Sequence, residues 1–189
     1  MKQVSEKLTR YIIKSGAVPP ESYSVYQYCF QIGLEMLCSF LVCCILGILL
    51  HMVLEFVIFT VIFMLLRTYA GGIHLERFVS CLVCSVSVQT VVLIIYKILY
   101  LPLFVSWICI IFCSAAIMKM APVQCENREL SDHEKVIFKK NTKKIVLSVI
   151  LFSVVLSFSD LNRLVFLVSL VLLSIMISQY IGTIKYDLE

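Results

Sequence analysis

The stretch Arg67-Thr68-Tyr69-Ala70-Gly71-Gly72-Ile73-His74-Leu75-Glu76-Arg77-Phe78-Val79-Ser80-Cys81 is a polar island between long apolar segments. Reading outward from it decides the fold. A membrane span needs about 20 predominantly apolar residues. Before the island, the chain is almost continuously apolar from Tyr26 to Leu66, which is room for two spans with a turn near Gly47 to His51. After it, a third span runs from Val79 to Leu99, Pro102 marks a turn, and a fourth runs from Leu103 to Met120. A polar segment, Gln124 to Lys144, precedes a fifth span from Ile145 to Phe158, short unless it borrows flanking residues. Asp160 and Asn162 form a turn, and a sixth span runs from Leu164 to Gly182. The expected fold is all-α: a polytopic membrane protein with six transmembrane helices.

Composition agrees. Hydrophobic residues make up 61% of the chain and mean hydropathy is +1.00, far above a soluble domain. The 189 residues read as one integral-membrane domain. No cleavable signal peptide is evident at the start. Residues 1–20 instead form an amphipathic segment, with Val4, Leu8, Tyr11 and Ile12 at helical spacing among Lys2, Lys7, Arg10 and Lys14, ended by Gly16 and Pro19-Pro20. Such a helix lies on an anionic leaflet or packs on the rest of the protein. Most of the nine cysteines sit in apolar runs (Cys38, Cys43, Cys44, Cys109, Cys113), where Cys acts as a small hydrophobe. Their spacing suggests no disulfide framework.

Charge sets the orientation. Of sixteen Lys and Arg, fourteen fall on one side of a six-span layout: the four at the N-terminus, Arg67, Arg77, seven between Lys119 and Lys144, and Lys185. Only Lys97 and Arg163 fall on the other. The positive-inside rule then makes both termini and the polar island cytoplasmic. Thiols on that side are expected to be reduced.

Ionisable groups near lipid are expensive and usually have a use. A His near a Cys is the smallest kit for a thiolate nucleophile, the imidazole taking the thiol proton before sulfur attacks a carbonyl. Cys81 is the candidate nucleophile and His74 the candidate general base and acid. A helix opening at Val79 or Ser80 would favour the Cys81 thiolate through its dipole and offer backbone N–H groups to an oxyanion. On one unbroken helix, His74 and Cys81 would be separated by a rise of about 10.5 Å, too far to hydrogen-bond. Either the helix breaks between them, or the pair is completed across two chains of a homodimer; the Gly71-Gly72 pair favours the break. Arg67 either grips a substrate carboxylate or snorkels to headgroups. Gly72 permits a turn or close approach that a Cβ would block. Glu35, inside the first span, either supports the site or makes a polar contact between helices. Ser148, Ser153, Ser157 and Gln89 line a path or pack helices.

Arg67, the Gly71-Gly72-Ile73-His74 run and Cys81 together resemble the signature of the accessory gene regulator protein B family, integral-membrane cysteine peptidases that process a quorum-sensing propeptide. Ala121-Pro122-Val123, Asn127-Arg128-Glu129-Leu130 and Glu134 resemble that family's basic cytoplasmic loop, here 121–144. The hydropathy layout extends the resemblance over nearly the whole chain. It implies a protein of the bacterial cell membrane whose substrate carries an amphipathic leader and an acidic C-terminal tail. The dyad would be His74 and Cys81, supported by Arg67, Gly72 and Glu35, with Lys139, Lys140, Lys143 and Lys144 docking the tail. Those lysines equally fit a positive-inside anchor. No cofactor, metal or nucleic-acid partner is expected. Two other readings remain: a small membrane transporter that moves a peptide without cutting it, and a soft-metal site from His74, Cys81 and Cys84.

Overall fold

The computed structural model describes residues 2–16, 19, 22–72, 78–123 and 131–187, with backbone alone at 2, 32, 35, 36, 78, 81, 132 and 185–187. All regular structure in them is helical: α1 (Lys2–Lys14), α2 (Tyr23–Leu49), α3 (Val53–Ala70), α4 (Phe78–Ile98), α5 (Leu103–Met120), α6 (Asp132–Phe158) and α7 (Asn162–Asp187). Among the described residues, four helices are long and apolar enough to cross a membrane: α3, α5, α6 from His133, and α7 to Ile184. Shorter apolar stretches occupy Leu37–Leu49 and Leu82–Ile98. The chain groups into two compact units, residues 1–46 and 47–189.

In the first unit, α1 buries a polar stripe rather than its apolar one. Ser5 and Thr9 are buried, while Val4, Leu8 and Tyr11 are exposed. Thr9 returns its hydroxyl to Ser5 O at 2.8 Å, the i−4 bond that lets a threonine sit inside a helix contact. Gln27 Nε2 on α2 donates to Glu6 Oε1 at 3.5 Å. The exposed apolar stripe suits an interfacial position.

The second unit is built around α7. Val165, Phe166, Leu167, Val168, Val171 and Leu172 are all fully buried, so every face of this stretch of the helix is covered. Of the α7 span window, 56% is buried, against 28% for each of α3, α5 and α6. Helices α5, α3, α6 and α4 all pack on it. The outer helices divide their faces. On α6, Val146, Val149, Ser153 and Leu156 point inward, while Leu147, Leu151, Val155 and Phe158 are exposed as an apolar stripe. The expected turns are present: Met52 N–H donates to Gly47 O at 3.0 Å, and His51 and Asp160 each have φ 55°.

Polar side chains in these helices go to helix contacts. Gln89 Nε2 donates to Thr60 Oγ1 at 3.3 Å, and Trp107 Nε1 donates to Ser157 Oγ at 3.2 Å. Ser148 and Ser153 bond back to their own helix. For Gln89 and Ser157 the geometry is that of contact between helices, where such bonds are worth about 0.6 kcal/mol each; Ser153 is buried and Ser148 is exposed.

The helix of the expected fifth span, α6, starts earlier than its hydropathy suggested. Where a polar loop was expected up to Lys144, α6 is already helical from Asp132. The reason is local. Ser131 caps the helix, its Oγ accepting from Glu134 N–H at 3.3 Å, while Glu134 Oε2 accepts from Ser131 N–H at 3.0 Å. This reciprocal box satisfies two of the donors that a helix start leaves open. The lysines then extend the helix without penalty.

Candidate active site

The site is built on the end of α3. The helix stops at Ala70 because Gly71 turns to φ 79°, ψ −164°, its N–H reaching Arg67 O at 3.2 Å. Gly72 follows at φ 146°, a region essentially confined to glycine. Neither position has room for a side chain. A Cβ on Gly71 would lie 2.5 Å from Val123 O, and one on Gly72 would lie 2.9 Å from Ser178 Oγ. The close approach expected at Gly72 is therefore real, and Gly71 shares it.

Two segments converge on this turn. Val123 N–H donates to Ala70 O at 3.1 Å, tying the end of the α5 extension to the end of α3. Gln179 Nε2, from α7, donates to the same oxygen at 3.0 Å. A helix's last carbonyls lack partners within the helix, and here one is satisfied twice. The Gln179 amide is fully buried, and its Oε1 has no hydrogen-bond partner among the described residues. An unmatched buried acceptor costs about 1–3 kcal/mol.

Arg67 lies one turn before the glycines, half-buried. Its Nη1 donates to Ser178 Oγ at 3.0 Å, and its guanidinium sits 5.6 Å from the Phe63 ring centroid. The guanidinium is thus turned toward α7, in a geometry where a cation over an aromatic face contributes about 0.5–2 kcal/mol. Arg67, Gly72 and Ser178 form one cluster.

Cys81 is the fourth residue of α4, which begins at Phe78. It lies in the first part of that helix that is described, the residues just before Phe78 being outside the description. Cys84, one turn on, is exposed. His74 lies outside the described residues, between the Gly71-Gly72 turn and the start of α4. Gly71 ends α3; the stretch in which a break between His74 and Cys81 was expected lies largely outside the described residues. Glu35 belongs to α2, in the first unit, and its side chain lies outside the description.

Lys139, Lys140, Lys143 and Lys144 are all exposed. At 100° per residue they fall within an arc of about 140° on α6. Thr142, Val149 and Leu156 are buried on the other side of the helix. On the face of α6 away from the lysines, Phe138 meets Tyr69 edge-on, ring centroids 5.7 Å apart. This contact fastens α6 to the end of α3, with the lysine face turned away from it. Among the described residues, no group of three or more His, Cys, Asp or Glu converges as a metal site would require.

Sequence reading missed Ser178 and Gln179. A signal existed: a Ser-Gln pair inside an otherwise apolar span is the same kind of observation that drew attention to Glu35 and Gln89. Val123 was legible only as part of a motif, because it contributes its backbone.

Residues 5–182 match the model of a family described as Accessory gene regulator B. No curated protein and no solved structure matches the chain.

Proposed function

The chain belongs to the accessory gene regulator B family, and on that premise we propose that it is a membrane-embedded cysteine endopeptidase maturing a quorum-sensing propeptide. The observation that carries this reading is the family match over residues 5–182, which spans the Gly71-Gly72 turn, His74 and Cys81 on α4. One integral-membrane domain would contribute six spans, α2 to α7, with α1 on the inner leaflet. The termini and the site would face the cytoplasm, because fourteen of sixteen Lys and Arg lie there.

The substrate leader would lie on the leaflet, and its acidic tail would meet the lysine face of α6. His74 takes the Cys81 thiol proton, and the sulfur attacks the carbonyl carbon at the end of the future signal. Backbone N–H groups at the start of α4 stabilise the oxyanion. As the C–N bond breaks, the His74 imidazolium gives its proton to the departing amine, and the tail leaves with a free amino end. Cys81 holds the remaining peptide as a thioester. A thiol or hydroxyl within that peptide then loses its proton to His74 and attacks the thioester, closing a thiolactone or lactone and releasing Cys81. Exchange of one thioester for another is nearly balanced, whereas making the first from an amide is uphill, so product removal pulls the sequence. Exclusion of water protects the acyl-enzyme from hydrolysis.

The test is to incubate protein with propeptide, quench quickly, and look by mass for the Cys81 thioester. Cys81→Ala should abolish cleavage and Cys84→Ala should leave most of it. His74→Ala and His74→Gln should both suppress the adduct, since neither can cycle a proton. Adduct at the wild-type level in His74→Ala would overturn its role and direct attention to Glu35. Equal loss in both cysteine variants, with stoichiometric bound metal, would replace the peptidase by a metal protein. Transport of intact peptide by Cys81→Ala would favour a transporter. Recovery of cleavage on mixing Cys81→Ala with His74→Ala would place the dyad across a homodimer.

A further inference from the structure

Helix α7 meets the Gly-Gly turn with two polar side chains that packing alone does not require. A leucine in place of Gln179 would fill comparable space without leaving a carbonyl oxygen unmatched in an apolar span. The amide is explained by what its nitrogen holds. That is Ala70 O, at 3.0 Å, an oxygen already satisfied by Val123 N–H at 3.1 Å. The second bond is therefore redundant as satisfaction, yet it adds a fixed direction: the end of α3 is gripped from two sides by segments far apart in sequence. One residue earlier on α7, Ser178 Oγ accepts from Arg67 and stands where a Gly72 side chain would be. Consecutive residues of the most buried helix thus touch the turn at Ala70, Arg67 and Gly72.

We propose that Ser178 and Gln179 are positioning residues. From α7 they hold the end of α3 and the Gly71-Gly72 turn in one orientation, and so fix the point from which the segment carrying His74 departs toward Cys81. The grip itself depends on no activity; its catalytic consequence rests on the peptidase reading. A loosened turn would displace the base from the nucleophile while leaving the lysine face of α6 untouched, so chemistry should suffer and substrate capture should not.

The experiment uses full-length protein in lipid nanodiscs, wild type beside Gln179→Leu and Ser178→Ala. Amide hydrogen exchange is followed across residues 68–77, with α5 as internal control. Exchange in 68–77 should quicken by about tenfold or more in Gln179→Leu, and in the same direction for Ser178→Ala, with α5 unchanged. Formation of the Cys81 thioester should slow by about ten- to a hundredfold, while the propeptide concentration giving half-maximal rate stays at the wild-type value. Unchanged exchange in both variants would overturn the grip. Slowed chemistry accompanied by faster exchange throughout α5 would show a general packing role and overturn positioning. Wild-type adduct rates despite faster exchange would overturn the catalytic consequence. Wild-type protein that forms no adduct, with exchange still responding to Gln179→Leu, would sink the peptidase reading while the grip stands.

Discussion

A single methyl group separates the roles of the two glycines that follow α3. At Gly71 an added Cβ meets Val123 O at 2.5 Å, a backbone atom of a residue whose N–H is tied to Ala70 O. At Gly72 it meets the Ser178 hydroxyl at 2.9 Å, and a hydroxyl can rotate aside. Both positions also carry positive φ, a strain of about 1–3 kcal/mol for an L-residue. Gly71→Ala should therefore lower the thermal midpoint of the detergent-solubilised protein more than Gly72→Ala does. Equal shifts would show that backbone strain outweighs the clash. At this scale the sequence told much: a Gly-Gly pair between a helix and a His announces a break, and Gly72 was read as making room. What it could not tell was against whom. Ser178 lies more than a hundred residues away, and no local pattern links it to Gly72 or Arg67.

At the scale of elements, α6 is the helix whose sequence misleads. Its charged first half lowers mean hydropathy, so a window tuned to apolar stretches starts the span at Ile145. The finer pattern was present: Phe138, Thr142, Val146 and Val149 repeat at helical spacing, and Ser131 with Glu134 spells a capping box before them. The lysines consequently stand on a rigid rod, with no loop to let them adapt. Replacing Lys139, Lys140, Lys143 and Lys144 by Gln should raise the propeptide concentration needed for half-maximal cleavage, and leave the maximal rate nearly unchanged. Added salt should reproduce the effect on wild type, because the four ammonium groups are exposed. A lowered maximal rate with unchanged half-saturation would place the lysines in chemistry or folding instead of capture. For α1 the sequence displayed the amphipathic pattern correctly. It could not say which stripe is covered, and Ser5 and Thr9, the polar pair, are the buried ones.

For the whole molecule, hydropathy marks where apolar helices lie but is silent on their neighbours. An apolar stretch facing lipid and one facing protein look alike, so α7 read as one span among six until its covered faces made it the hub of the second unit. Orientation, in contrast, is written in the loops. Impermeant labels applied from outside intact cells should fail to reach tags inserted within residues 124–131 or after Glu189. Labelling at either site would invert the layout and remove the dyad from the compartment where the propeptide is made. In the expected layout, the same fourteen-to-two division would put Arg163 on the outer side. There its Nη2 donates to Lys97 O at 3.4 Å and its guanidinium lies 5.2 Å from the Tyr96 ring centroid. Each end of α7 thus meets an arginine, one its own and one from α3.

The length of α6 has a consequence for the peptide rather than for the protein. Its 27 residues extend about 40 Å, while the hydrocarbon core is about 30 Å thick. About 10 Å of helix is left to stand in the headgroup layer, and the Phe138–Tyr69 contact pins that part to the end of α3. If the four lysines dock the propeptide's acidic tail, the tail must pass round α6 to reach them, because they face away from the Tyr69 contact. An extended peptide advances about 3.3 Å per residue, so under that reading the cut and the first acidic residue would have to be separated by enough residues to round the helix, and a propeptide with the right charges in the wrong register would be held without being cut.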